Sequence, residues 1–96
     1  MDKRNILYPD ENREILTISA AKGHHIYLAL YAKIYVDDIP YYFTLDMDSL
    51  EHGDFNYLVV DEDEEQEGIY HIVLDGDIET SVFETFKKML TDYQNK

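Results

Sequence analysis

The chain has 96 residues, no cysteine and a net charge of −13 with its histidines neutral, from 8 basic and 21 acidic side chains. A chain of this length has room for one hydrophobic core, and without cysteine it has no disulfide, thiolate metal site or cysteine nucleophile. Its acidity disfavours direct binding to nucleic acids and to anionic membranes, which are themselves negatively charged. The second half carries most of this charge, since residues 1–48 sum to −3 and residues 49–96 to −10.

The N-terminal 13 residues are polar and of mixed charge. We predict a loosely ordered arm over residues 1–13 and a single domain over residues 14–96. No segment has the apolar length of a signal peptide or of a membrane span, so we expect a cytoplasmic protein. Glu14–Ala20 is rich in β-branched residues and is predicted as the first strand, with Gly23 taking a positive φ in the turn that follows.

The segment Ile26–Val36 has the sequence IYLALYAKIYV, whose period of two predicts a long strand at the centre of a sheet. One set of alternate positions is aliphatic, and we expect this set to face a helix. Its larger members are Ile26, Leu28, Leu30, Ile34 and Val36. The other face would then carry Tyr27, Tyr31 and Tyr35, joined by Tyr42 from the next strand.

This tyrosine face has two interpretations. Its rings can belong to the core with their hydroxyls at the edge, as buried tyrosines often do. They can also form an exposed patch for a partner protein or for a second copy of the chain, since tyrosine is enriched at interfaces. Both interpretations stay open at this point.

Three further strands are predicted at Tyr41–Met47, Phe55–Val60 and Ile69–Leu74, and their short connections favour antiparallel pairing. Asp75–Gly76–Asp77 is predicted as a turn. From Ser81 the apolar period changes to three or four residues, which predicts an amphipathic helix with Ser81 as its N-cap. The predicted fold is α+β, a four- to five-stranded antiparallel meander with one C-terminal helix packed on one face.

The helix stripe is expected to consist of Val82, Phe86, Met89 or Leu90, and Tyr93, with Phe83 beside it.

An acidic run connects the last two predicted strands. Its acidic members are Asp61, Glu62, Asp63, Glu64, Glu65 and Glu67. The simplest interpretation is a solvated hairpin loop. The alternative is a surface whose carboxylates mimic DNA phosphates and thereby inhibit a nucleic-acid-binding enzyme.

The sequence shows no motif that indicates a catalytic or metal-binding site. The aspartate clusters lack the glycine and the final glutamate that an EF-hand loop requires, and no serine lies in a glycine-flanked elbow. We therefore expect no catalytic, cofactor-binding or metal-binding residues. The leading prediction is a non-enzymatic module that binds a protein, either a basic one or one that itself binds nucleic acid.

The segments EILTISAAKG and IYLALYAKIYVDDIPYYF, followed by Ile78–Glu79–Thr80 at the entry to an aromatic-containing helix, resemble the YrzB-like family of small acidic bacterial proteins of uncharacterised function. The resemblance covers about residues 14–93. It implies an α+β fold and a bacterial source, and it brings no catalytic residues.

Overall fold

Six antiparallel strands and a C-terminal helix form the fold in the computed structural model, which describes residues 4–8, 13–19 and 23–94. The strands are β1 (Ile6–Leu7), β2 (Ile15–Ser19), β3 (His25–Val36), β4 (Ile39–Asp46), β5 (Tyr57–Glu62) and β6 (Tyr70–Ile72). A short helix, α1 (Met47–Glu51), connects β4 to β5, and the long helix, α2 (Gly76–Gln94), ends the described chain. The predicted α+β class is confirmed, with one strand more than expected.

The central strand β3 pairs with three neighbours. Along one edge it pairs with β4, and the meander continues through β5 to β6. Along its other edge it pairs with β2 opposite residues 25–29 and with β1 opposite residues 32–33. Part of the predicted N-terminal arm is therefore a strand of the sheet, while residues 1–3 and 9–12 of that arm lie outside the described residues.

An irregularity in β3 changes the face on which its side chains lie. Leu30 pairs with Thr44 and Ala32 pairs with Phe43, so Tyr31 is an extra residue opposite two consecutive partners. Such a β-bulge shifts the alternation by one residue, and every later side chain moves to the other face. The prediction of one unbroken alternation along this strand is wrong for that reason.

The bulge divides the five aliphatic residues that were expected to face the helix. Ile34 and Val36 pack in the cluster that includes α2, as predicted. Ile26, Leu28 and Leu30 instead belong to a second cluster on the opposite face of the sheet. One strand thereby supplies two separate apolar clusters.

The two clusters are covered in different ways. The helix-side cluster consists of Ala32, Ile34, Tyr41, Phe43, Val59, Val73, Val82, Phe86 and Met89. The opposite cluster has Leu16, Leu28, Leu30 and Val60 at its centre. The strands at the two ends of the sheet, β2 and β6, approach each other, and Ile18 and Tyr70 both pack on this second cluster. The sheet therefore curls around its own second core.

Helix α2 begins at Gly76, earlier than predicted. The Asp75 Oδ1 atom accepts hydrogen bonds from the backbone amides of Asp77 at 2.9 Å and Ile78 at 3.4 Å, as an N-cap does. The Asp75 carbonyl accepts the first helical bond from Glu79 at 3.0 Å. The predicted turn is thus the helix cap, and Ser81 lies inside the helix, where it caps nothing.

The buried stripe of α2 consists of Val82, Phe86 and Met89, as predicted. Tyr93 was expected to continue this stripe but is 70% exposed.

The turn between β3 and β4 places two aspartates in left-handed backbone. Asp37 has φ = 52° and Asp38 has φ = 67°, the pattern of a two-residue type I′ turn. Aspartate tolerates this region better than most residues other than glycine. The Asp38 carboxylate also accepts a 2.6 Å hydrogen bond from the Arg4 guanidinium.

The cap assignment predicts different effects for two alanine substitutions. Asp75→Ala should lower the free energy of unfolding by about 1 kcal/mol, because two helix amides lose their acceptor. Ser81→Ala should change it by less than about 0.5 kcal/mol, because Ser81 is exposed inside the helix. Urea unfolding monitored by circular dichroism measures both free energies of unfolding. Asp75→Asn is a control whose side chain retains a hydrogen-bond acceptor. A larger loss for Ser81→Ala would contradict the assignment.

The turn geometry predicts the effect of proline at position 37. Asp37→Pro should destabilise the protein by more than about 1 kcal/mol, because proline fixes φ near −65° and the turn requires a positive φ. Asp37→Asn, which keeps the left-handed tolerance, should stay within about 0.5 kcal/mol of the parent. The same urea titration decides, and equal stability of the two variants would rule out the type I′ turn.

Candidate protein-binding surfaces

The predicted tyrosine face is divided by the bulge. Tyr27 precedes the bulge on the helix side of the sheet and is 51% exposed. Tyr31, at the bulge, meets Phe86 edge to face with ring centroids 6.3 Å apart. The guanidinium of Arg13 lies 3.6 Å from the Tyr31 ring centroid. Tyr31 is therefore held by α2 and by the segment before β2.

Tyr42 packs on the second cluster, on the face opposite α2, and Tyr35 shares a lysine with it. The Lys33 ammonium lies between them, 5.5 Å from the Tyr35 ring and 5.7 Å from the Tyr42 ring. The Arg4 guanidinium lies 4.2 Å from the Tyr35 ring, and Tyr70 meets Tyr42 edge to face at 5.8 Å. Burial raises the pKa of the Tyr70 hydroxyl. The four tyrosines thus form no single surface, and three of them are half-buried with partners inside the chain.

The acidic run lies at the hairpin between β5 and β6, and two of its carboxylates form hydrogen bonds within that hairpin. The Glu62 carboxylate accepts a hydrogen bond from the Gly68 amide at 3.0 Å. The Asp63 carboxylate accepts from the amides of Glu65 at 2.8 Å and Gln66 at 3.1 Å. His71 Nε2 donates to the other Asp63 oxygen at 3.0 Å.

The remaining carboxylates of the run differ in exposure. Asp61 is half-buried, whereas Glu64, Glu65 and Glu67 are exposed. Within the residues that the structure describes, no group of three or more histidine, aspartate or glutamate side chains is placed to hold a metal ion. The exposed part of the run is therefore three glutamates on a hairpin.

The Asp63 contacts predict a measurable pKa. The hydrogen bond from His71, followed by the Glu65 and Gln66 amides, lowers the pKa of Asp63 in the folded protein. A lowered pKa means that this carboxylate stabilises the fold above its usual pKa, and that the stabilisation is lost as the pH falls through the lowered value. His71→Leu, which removes the donor, should raise the pKa of Asp63 in a carbon-13 NMR titration, and His52→Leu should leave it unchanged. An unchanged pKa in the His71 variant would exclude this contact.

An aromatic groove lies between the N-terminal half of α2 and the helix side of β4 and β5. It has a volume of about 410 Å³ and is lined by Phe43, Tyr57, Val59, Glu79, Thr80, Phe83 and Glu84. The buried Phe43 ring forms its floor and stacks on Tyr57 at 5.0 Å and on Phe86 at 4.2 Å. Tyr57 and Phe83 are 45% and 38% exposed, with their rings 6.2 Å apart at 62°.

Carboxylates stand at the helix side of this groove. Glu79 lies in the first turn of α2, where a negative charge also complements the helix dipole. Glu84 forms an ion pair with Lys87 at 3.3 Å, and the same ammonium lies 5.0 Å from the Phe83 ring. The groove therefore combines exposed aromatic surface with negative charge.

A second groove lies between Asn5, Tyr35 and the C-terminal half of α2. Its volume is about 630 Å³, and it is lined by Asn5, Tyr35, Glu84, Thr85, Lys87, Lys88, Thr91 and Asp92. Charges of both signs line it, and it holds one aromatic residue. It offers neither a defined charge nor an apolar floor, so we favour the aromatic groove as the binding site.

Only weak signals for this groove are present in the amino-acid sequence. Tyr57 lies in a predicted strand, and Phe83 is an apolar residue beside the predicted helix stripe. Single apolar residues outside the buried stripe are common on protein surfaces, so Phe83 alone does not indicate a second contact surface. The partner rings from β4 and β5 could not be assigned to it without the strand register.

Comparison with protein-family models, with curated proteins and with solved structures gives no match. The resemblance to the YrzB-like family stays a prediction. No helix within residues 4–8, 13–19 and 23–94 has the length and apolar character needed to span a membrane.

Proposed function

We propose that this protein is a non-enzymatic interaction module that binds a basic protein in the aromatic groove. The observation that carries the proposal is the pairing of two half-exposed rings, Tyr57 and Phe83, with the carboxylates of Glu79 and Glu84. Aromatic side chains are enriched at the centres of protein interfaces, where they supply most of the binding free energy.

The charge of the chain supports a basic partner. The groove belongs mostly to the half of the sequence that carries a net charge of −10. A field of this sign accelerates encounter with a basic surface and repels acidic ones. Carboxylates beside an apolar floor would select the partner, while the rings would provide affinity.

The DNA-mimic alternative uses a different surface. It depends on the exposed carboxylates of Glu64, Glu65 and Glu67 on the β5–β6 hairpin, which are the members of the acidic run best placed to meet a partner. In that case the partner would be a nucleic-acid-binding enzyme, and duplex DNA would compete with the protein for it.

Site-directed photo-crosslinking in an extract of the source cells separates these proposals. A photo-crosslinking residue in place of Thr80, which lines the groove, should capture a protein of basic isoelectric point. The same residue in place of Thr91, which is exposed on the same helix outside the groove, is the matched control. Capture should weaken as salt rises from about 0.05 to about 0.5 M, because salt screens exposed charges.

The proposal also predicts which variants lose this capture. Phe83→Ser should abolish it, whereas Tyr93→Ser, at an exposed ring outside the groove, should not. Equal capture from positions 80 and 91, or capture of acidic proteins, would refute binding at the groove. Capture from position 65 that duplex DNA displaces would support the mimic instead.

A further inference from the structure

We infer that the groove recognises an arginine side chain of the partner, which stacks on the Tyr57 ring and pairs with the Glu79 carboxylate. This inference rests on the proposed function and specifies its chemistry. A guanidinium is planar and always charged, so it can stack on an aromatic face while donating two parallel hydrogen bonds to a carboxylate. The groove provides both elements.

The cation–ring contacts within this protein differ in distance between arginine and lysine side chains. The Arg13 guanidinium lies 3.6 Å from the Tyr31 ring centroid, and that of Arg4 lies 4.2 Å from the Tyr35 ring centroid. The lysine contacts are longer, with the Lys33 ammonium 5.5 and 5.7 Å from two rings. Arginine therefore stacks closely on tyrosine in this chain, and lysine does not.

The geometry of the groove assigns the stacking contact to Tyr57. Phe43 covers one side of the Tyr57 ring in a stack tilted by 21°, and Phe83 meets it at 62°, yet 45% of Tyr57 stays exposed. We place the guanidinium on the face of the Tyr57 ring that Phe43 does not cover. The groove volume of about 410 Å³ lies near the lower end of ligand sites, which suits one or two side chains.

The carboxylate assignment follows from the ion pairs of α2. Glu84 is paired with Lys87, whose ammonium also lies against Phe83. Glu79 has no ion pair among the described residues, so its carboxylate is the one that can accept an incoming guanidinium. The Glu84–Lys87–Phe83 contact is the lysine counterpart of the arrangement that we propose for Glu79, arginine and Tyr57.

Three synthetic peptides test the inference. Each has six residues in which glycine alternates with arginine, lysine or citrulline, and citrulline keeps the shape of arginine without its charge. Calorimetric titration of the full chain should give the tightest binding with the arginine peptide, about fivefold tighter than with lysine. The citrulline peptide should bind weakest. Amide NMR shifts should place the arginine peptide at Tyr57, Glu79 and Phe83.

Matched variants separate the ring from the charge. Tyr57→Leu keeps an apolar side chain but removes the stacking face, and it should remove the preference for arginine over lysine. Glu79→Gln should weaken the arginine peptide about tenfold. Glu64→Gln, the same change of charge on the β5–β6 hairpin, should weaken it less than twofold, because exposed charges outside the site contribute little. Thermal unfolding of each variant verifies that it folds.

The outcomes distinguish this inference from the proposed function. Equal affinities for arginine and lysine peptides at the groove, or NMR shifts confined to residues 63–68, would overturn the arginine assignment. If position 80 still captured a basic protein and Phe83→Ser still abolished that capture, the proposed function would stand. Loss of that capture pattern would remove the proposed function, whatever the peptides did.

Discussion

The extra residue at Tyr31 is the constraint on which the rest of this structure depends. A chain of 96 residues has little apolar surface to spare, and a flat two-faced sheet with one helix would leave one face in water. The bulge in β3 turns the first part of the strand toward a second cluster and leaves the later part under α2. Bulges also increase the local twist of a strand, which favours the curl that brings β2 toward β6. The bulge at Tyr31 thereby allows apolar residues on both faces of the sheet to be covered.

The fold class could be predicted because it depends on local patterns. The twelve-residue β3, the short connections after it and the change of period before the helix are all visible in the sequence. The bulge cannot be identified in the sequence, because a bulged residue has no distinctive type or hydrophobicity. It appears only as a shift of register against β4, which is a property of two strands together. Every wrong assignment of a β3 side chain to a face follows from that single shift.

The helix start and the candidate site were missed for related reasons. Asp75 and Ser81 both precede residues that suit a helix, and a sequence with two good caps does not reveal which one the chain uses. The contact of the partly buried Ile78 with the helix-side cluster favours the earlier start, because the longer helix packs one more apolar side chain against the sheet. The groove likewise requires Phe43 and Tyr57, from neighbouring strands, to meet Phe83 from α2. The tyrosine pattern was conspicuous in sequence but is used mainly inside the fold.

The two short strands beside β3 have a consequence for how the protein behaves in a crowded solution. β3 is long and rich in β-branched and aromatic residues, which is the composition of a segment that pairs readily with identical copies of itself. In the folded chain β4 occupies one of its edges, and β1 and β2 divide the other. Because two separate strands cover this edge, the detachment of one of them exposes only part of the β3 backbone. By pairing with this edge, the N-terminal strands occupy the backbone groups through which β3 could pair with another chain.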